Sequence, residues 1–238
     1  AVAYGRKLPV AAKISEMLSF SKDELARFLR IAFPVILNET FWGLGASLHS
    51  LILARSGTEA IAAFNITSTV SQLTWVFFIG VGNAAGIIIG KKIGERDNQT
   101  ALSYANRFAF LMPIMALCIG WLLIPLSKCL PFFFNVDSSI IAQASFMLYV
   151  LLITYPFKSF NMCMIVGVCR AGGDTVFAAL ADVLFMWGWG IPLGALAAFV
   201  FHWEPWAVYA CLLSEDFVKS IATFIRLKSK KWLRSVTE

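Results

Sequence analysis

Six runs of mostly apolar residues, each long enough to cross a bilayer, decide what this chain can fold into. A spanning helix needs ~20 such residues, because the hydrocarbon core is ~30 Å thick and a helix rises ~1.5 Å per residue. Residues 31–54, 60–90, 105–126, 140–168, 176–201 and 205–227 meet that length. A β-barrel would show short segments of alternating apolar and polar residues, and no such alternation is present. Composition agrees. Of 238 residues, 59% are hydrophobic and 14% charged, with mean hydropathy +0.74, whereas a soluble domain is about a quarter charged. The expected fold class is all-α, a polytopic membrane helix bundle with six transmembrane helices. No signal-peptide pattern opens the chain, and its first residue is Ala1, which reads as a fragment or a processed chain.

The basic residues orient the bundle. Of twenty, only Arg55 and Lys128 fall at the ends of spans on one side, and Lys158 lies within a span. The rest sit in the leader, at Lys91, Lys92, Arg96 and Arg107, at Arg170, and from Lys219 onward. The positive-inside rule places both chain ends in the cytoplasm. The net charge of +6 is therefore membrane topology, and nucleic acid is not expected as a partner. Residues 1–30 are expected to form a cytoplasmic amphipathic linker helix, 31–227 the transmembrane bundle and 228–238 a basic cytoplasmic tail. Ser21 and Glu24 fit a capping box ahead of an apolar stripe at Leu25, Phe28 and Leu29. The five cysteines form no CxxC pair and, apart from Cys129 and Cys169, lie inside apolar runs, so they read as small buried hydrophobes.

Charges at membrane depth are costly and mark function. Glu39 lies about 12 Å into the first span, Lys158 about 15 Å from the turn after the fourth, and Asp182 about 10 Å into the fifth. Three ionisable groups at similar depth suggest one buried cluster, two carboxylates and an ammonium, whose balance changes with one proton. The face of Glu39 continues through Gly43, Ala46 and Ser50, all small. A protonated structural glutamate is the other reading of Glu39. Asn38 falls on a different face, and His49 reads as a hydrogen-bonded helix histidine.

The second span carries a polar stripe, Asn65, Thr69, Gln72 and Asn83, which either lines a cavity or bonds to neighbouring helices. Trp42, Trp75, Phe78 and Asn161 are further candidates for a cavity wall. Gly82, Gly86, Gly90 and Gly94 form a small-residue ladder for close helix contact. Pro113 and Pro125 favour kinks in the third span. Glu215, Asp216 and Lys219 have the spacing of an intrahelical ion pair. No metal, nucleophile or general-base motif appears, so the chain is not expected to be an enzyme or to hold a cofactor.

The run from Gly167 to Thr175 (GVCRAGGDT), then Asp182 and WGWGIP from Trp187, resemble the second half of multidrug and toxic compound extrusion (MATE) transporters. PVILNETFWGLG from Pro34, GTEAIAA from Gly57, GKKIG from Gly90 and the tail around Trp232 resemble other stretches of that family in the right order. The resemblance implies a twelve-helix fold in two six-helix bundles, of which this chain matches the C-terminal one. The N-terminal bundle of the same protein would be its partner. It implies a secondary antiporter of the plasma (inner) membrane that exports small organic cations or drugs in exchange for H⁺ or Na⁺. The family's cation site matches Glu39 and Tyr155, with Ser159 where some members carry an aspartate and Lys158 beside it. A Na⁺ at Glu39 is one option, and protons fit the departure at Ser159 better. The Arg170–Thr175 turn is read as a cytoplasmic hinge without a direct binding role. Alternatives are a lipid-linked precursor flippase of the wider superfamily and a non-transporting membrane scaffold.

Overall fold

The computed structural model describes residues 21–233 other than Asn135. The first twenty residues of the expected linker and the last five of the tail lie outside the described residues. All described regular structure is helical, with no strand among the described residues. Helix α1, Lys22–Arg55, begins as its sequence dictates: Ser21 Oγ accepts from the Glu24 amide at 3.2 Å, and the Ser21 amide donates to Glu24 Oε2 at 2.8 Å. Residues 22–30 and 32–55 meet at a 42° bend. Pro34, just beyond, supplies no amide to the helix there.

Helix α2, Thr58–Gly94, follows a turn at Gly57, whose φ of 121° suits glycine. Helix α3, Asn98–Phe133, is capped by the Asp97 carboxylate, which accepts from the Thr100 amide at 3.1 Å. Hydrogen bonds from the Thr100 side chain and backbone hold this carboxyl below its usual range. The helix runs unbroken through Pro113 and Pro125.

Helix α4, Ser138–Met162, winds on as a π-helical stretch, Cys163–Cys169, and then turns into α5, Thr175–Phe185. A second π stretch, Met186–Gly190, joins α5 to α6, Ile191–Phe199. Helices α7, Pro205–Leu213, and α8, Glu215–Ser229, make the last leg. Wide π turns are frequent at functional sites, and here they border α5 at both ends.

The glycine ladder does what its spacing implies. A Cβ on Gly82 would touch Met162 at 3.6 Å, one on Gly86 would meet the Val166 carbonyl at 3.4 Å, and one on Gly90 would meet Ala171 at 3.7 Å. Gly94 faces open space. On the opposite helix, a Cβ at Gly167 would lie 3.1 Å from the Gly82 carbonyl oxygen. So α2 and the π stretch after α4 pack backbone to backbone, and this contact fixes one wall of the cavity described below.

Among the described residues, four helices are long and apolar enough to cross a membrane by themselves: Thr58–Gly94, Asn98–Leu122, Ser138–Cys169 and Thr175–Phe199. The bent α1 makes a fifth. The sixth expected span is helical, but it is two helices meeting at Ser214, and its second half opens with Glu215, Asp216 and Lys219, all buried. Hydropathy weighs those charges as if they met lipid, and the fold buries them in protein instead. The cysteines differ from expectation in part. All five are free, and Cys163 is buried as expected, but so is Cys169 at the turn, while Cys118 points outward. In the tail, Trp232 is fully buried beside Gly172.

Candidate functional site

A cavity of about 490 Å³ opens among α1, α2, α4 with its π stretch, α5, α7 and α8. From α1 come Asn38, Glu39, Trp42 and His49. From α2 come Ser68, Gln72, Trp75, Ile79 and Asn83, at spacings of three and four that keep one face turned inward. Lys158 and Asn161 enter from α4, Arg170 from the turn after it and Asp182 from α5. Glu215, Asp216 and Lys219 close the far wall from α8.

Lys219 is the centre of this wall. Its Nζ lies 2.8 Å from Asp182 Oδ1, 3.6 Å from Glu215 Oε1 and 4.0 Å from Asp216 Oδ1. The expected pairing within α8 is present, but the shortest bond runs across to α5. Asn38 donates to Asp182 Oδ2 at 3.3 Å, so it shares the site although its neighbour Glu39 seemed the better placed. Asn161 donates to the Asp216 carbonyl at 2.8 Å and to Asp216 Oδ1 at 3.0 Å, and its own oxygen accepts from Ser220 and Thr223.

Glu39 is held elsewhere. Arg170 donates to Glu39 Oε1 at 2.6 Å, which brings the turn arginine into the cavity wall and corrects its reading as a hinge alone. Lys158 lies over the ring of Trp75, 4.9 Å from its centre. The expected cluster of Glu39, Lys158 and Asp182 therefore shares one cavity, but each charge has a different nearest partner. Helix rotation decides this, and depth along the chain does not report it.

Several expected site residues do not reach the cavity wall. The Tyr155 hydroxyl bonds Thr74 and reaches Ser71 at 3.5 Å, inside the protein. Ser159 is fully buried and donates to the Pro156 carbonyl at 3.0 Å. Tyr155 and Ser159 thus bond other groups and, unlike Glu39, do not line the cavity; among the described residues no group of three acids, histidines or cysteines is placed to hold a metal ion. Asn65 and Thr69 are exposed and are not part of the lining; Thr69 instead donates to the Asn65 carbonyl at 2.8 Å. Adjacent helix residues differ by about 100°, so Ser68 faces in while Thr69 turns away. Trp42, Gln72 and Asn161 line the cavity as expected, and Phe78 is buried behind it, edge-on to Tyr155.

Three buried polar atoms on the cavity wall have no partner among the described residues: Asn38 Oδ1, His49 Nε2 and Glu215 Oε2. His49 is thus not the bonded helix histidine expected from sequence. Buried polar atoms are normally paired, so these mark where a guest or water would bond.

Comparison with known proteins bears on this architecture. The "Uncharacterized transporter YisQ" of Bacillus subtilis is 22% identical over 98% of this chain and 51% of its own length. A "Probable multidrug resistance protein NorM" of Xanthomonas axonopodis pv. citri is 24% identical over 90% of this chain and 47% of its own. Among solved structures, an outward-facing MATE transporter of the MOP superfamily superposes with a TM-score of 0.79 at 22% identity, covering 87% of this chain and 46% of that one. A MOP superfamily transporter from Pyrococcus furiosus, described as having a binding pocket of reverse polarity, gives 0.78 at 22% identity, covering 86% and 45%. This chain therefore spans about half the length of the relatives it matches. The MatE family model matches residues 34–196, which carry most of the cavity wall, and this multi-pass membrane chain belongs to the MatE family of transporters.

Proposed function

We propose that this chain is the C-terminal half of a secondary antiporter that exports cationic amphipathic compounds in exchange for protons by alternating access. The observation that carries the reading is the cavity: four carboxylates and three cations line it among the membrane helices and the turn after α4, together with Trp42 and Trp75. Acids and aromatic rings together suit an organic cation. Family membership and the names of its multidrug-resistance relatives support export of such compounds. The coupling residues are Glu39 and Asp182, each already balanced by a basic partner, Arg170 at 2.6 Å and Lys219 at 2.8 Å. A proton on either carboxylate frees its partner, which gives two ion pairs that a single proton can open. Protons are favoured over Na⁺ because Tyr155 and Ser159 are bonded away from Glu39. A lipid-linked precursor flippase fits less well, since the lining acids outnumber the bases. The N-terminal bundle of the same protein would complete the pathway, with both ends of this chain in the cytoplasm of an inner membrane.

The test is efflux of a fluorescent organic cation from vesicles carrying the full-length transporter. An imposed pH gradient is expected to drive export and a Na⁺ gradient to leave it unchanged. Glu39→Gln is expected to abolish proton-driven export. Export that follows Na⁺ alone would reverse the ion assignment, and full export by Glu39→Gln would remove Glu39 from the mechanism.

A further inference from the structure

Three cations line the cavity, and two of them are spoken for. Arg170 bonds Glu39, and Lys219 bonds Asp182. Lys158 differs: among the described residues no carboxylate stands within 4.0 Å of its Nζ, and its contact is the face of Trp75. The nearest acids are not free to move to it. Asp216 is held by Asn161 and Lys219, and Glu215 faces Lys219 at 3.6 Å. Gln72, one turn before Trp75 on the same face of α2, also lines the cavity and offers a neutral amide beside the ring. The other polar atoms left without partners in this wall are acceptors or a histidine nitrogen: Asn38 Oδ1, Glu215 Oε2 and His49 Nε2. One cavity thus offers an unpaired ammonium from α4 and unpaired acceptors from α1 and α8.

A purely cationic guest would leave the ammonium unanswered and bring a like charge beside it. We propose that the cavity takes amphoteric organic molecules, with a carboxylate bound at Lys158 and Gln72, the aromatic body against Trp75, and the cationic end at the acceptors of Asn38 and Glu215. Lys158 then sets specificity, by selecting a substrate with an anionic group over the same scaffold without one. This rests on the reading of the cavity as the organic-cation site and narrows the substrate class within it. A bidentate carboxylate–ammonium contact away from bulk water is a charge-assisted hydrogen bond, and such bonds are roughly twice as strong as neutral ones.

The matched probes are tetramethylrhodamine free acid, which carries a cation and a carboxylate, and its methyl ester, which carries the cation alone. Binding of each to the purified full-length transporter is read by fluorescence anisotropy. The unmodified protein is expected to bind the acid about tenfold more tightly than the ester, the scale of one charge-assisted hydrogen bond. Lys158→Gln is expected to bring the two affinities to within about twofold of each other by weakening the acid alone. Lys158→Arg is expected to retain the preference. Ester binding in each variant reports an intact cavity, so a folding defect does not mimic the result. An unmodified protein that binds both probes without preference, or a preference that survives Lys158→Gln, overturns the inference while the export reading stands. Binding of neither probe overturns both.

Discussion

Replacing Lys219 with methionine removes the cation that lies within 4.0 Å of three carboxylates, and the structure gives the size of the effect. The lysine side chain is 5% exposed, and those of Asp182, Glu215 and Asp216 are 16%, 8% and 8% exposed, so little water is at hand to replace it. Truncating one partner of a buried ion pair costs about 3–5 kcal/mol, mostly through the charge left behind. Lys219→Met is expected to lower the unfolding free energy by that amount, about 3–5 kcal/mol. Attraction falls inversely with separation, and the distances of 2.8, 3.6 and 4.0 Å rank the three partners. Double-mutant cycles of Lys219→Met with Asp182→Asn are therefore expected to show a coupling of about 1–3 kcal/mol. Cycles with Glu215→Gln and Asp216→Asn should give successively less. Unfolding in mixed detergent micelles, followed by tryptophan fluorescence, supplies all the corners. Additivity with Asp182 to within about 0.5 kcal/mol, or stronger coupling to Asp216 than to Asp182, would refute the assignment of the interhelical bond as the leading one.

Other expectations follow from single contacts. Glu39→Gln should change stability by less than about 1 kcal/mol, because exposed ion pairs contribute little and the Glu39 side chain is 57% exposed; a melting shift as large as that of Lys219→Met would count against this. Gly167→Val should cost about 1–3 kcal/mol by overpacking, since even a Cβ there would meet the Gly82 carbonyl at 3.1 Å. Gly94→Ala, with open space around it, should stay within about 0.5 kcal/mol of the parent in the same micelle titration. The Asp97 cap contributes stability that is present above the usual carboxylate range and lost as pH falls through its lowered value, because its folded-state carboxyl binds a proton less readily than the unfolded one. Asp97→Asn keeps a capping oxygen and should remove this acid-side loss; hydrogen exchange at the Thr100 amide between acidic and neutral pH reads it directly.

The fold was legible because its signals are local. Apolar run length, Ser21 with Glu24, and glycines four apart each act within one or two helical turns, and each recurs in the structure as a span, a cap and a backbone contact. The cavity's membership was legible only where a residue's depth and its face agreed, as for Gln72, Asn161 and Trp42. The partners were not. Whether Glu39 meets Lys158 or Arg170 depends on the rotation of α1 relative to α4, and rotation is set by distant packing. Asn65 and Thr69 show the same limit: they are as polar as Gln72, but both are exposed outside the cavity lining, although seven residues at about 100° each bring Asn65 back to nearly the face of Gln72. Lys219 illustrates the opposite error. Its i−4 and i−3 acids satisfied it on paper, so nothing in the local pattern asked for Asp182.

The three interhelical ion pairs among the described residues have one thing in common that the sequence order conceals. Arg170 to Glu39, Asp174 to Arg226 and Asp182 to Lys219 all involve α5 or the turn that leads into it. On its two sides this segment is bordered by the π stretches Cys163–Cys169 and Met186–Gly190. The wall that α2 makes with α4 and the π stretch after it, by contrast, is held by close backbone packing at Gly82, Gly86 and Gly167. Close backbone packing has one geometry, whereas an ion pair can open when a carboxylate takes up a proton. A cavity with one wall of the first kind and one of the second is rigid on the side of Trp75 and Lys158 and adjustable on the side of Asp182 and Glu39. Under the function proposed above, recognition would fall to the fixed wall and ion coupling to the adjustable one, so substitutions at Lys158 should alter which molecule is bound, and substitutions at Asp182 should alter what drives its release.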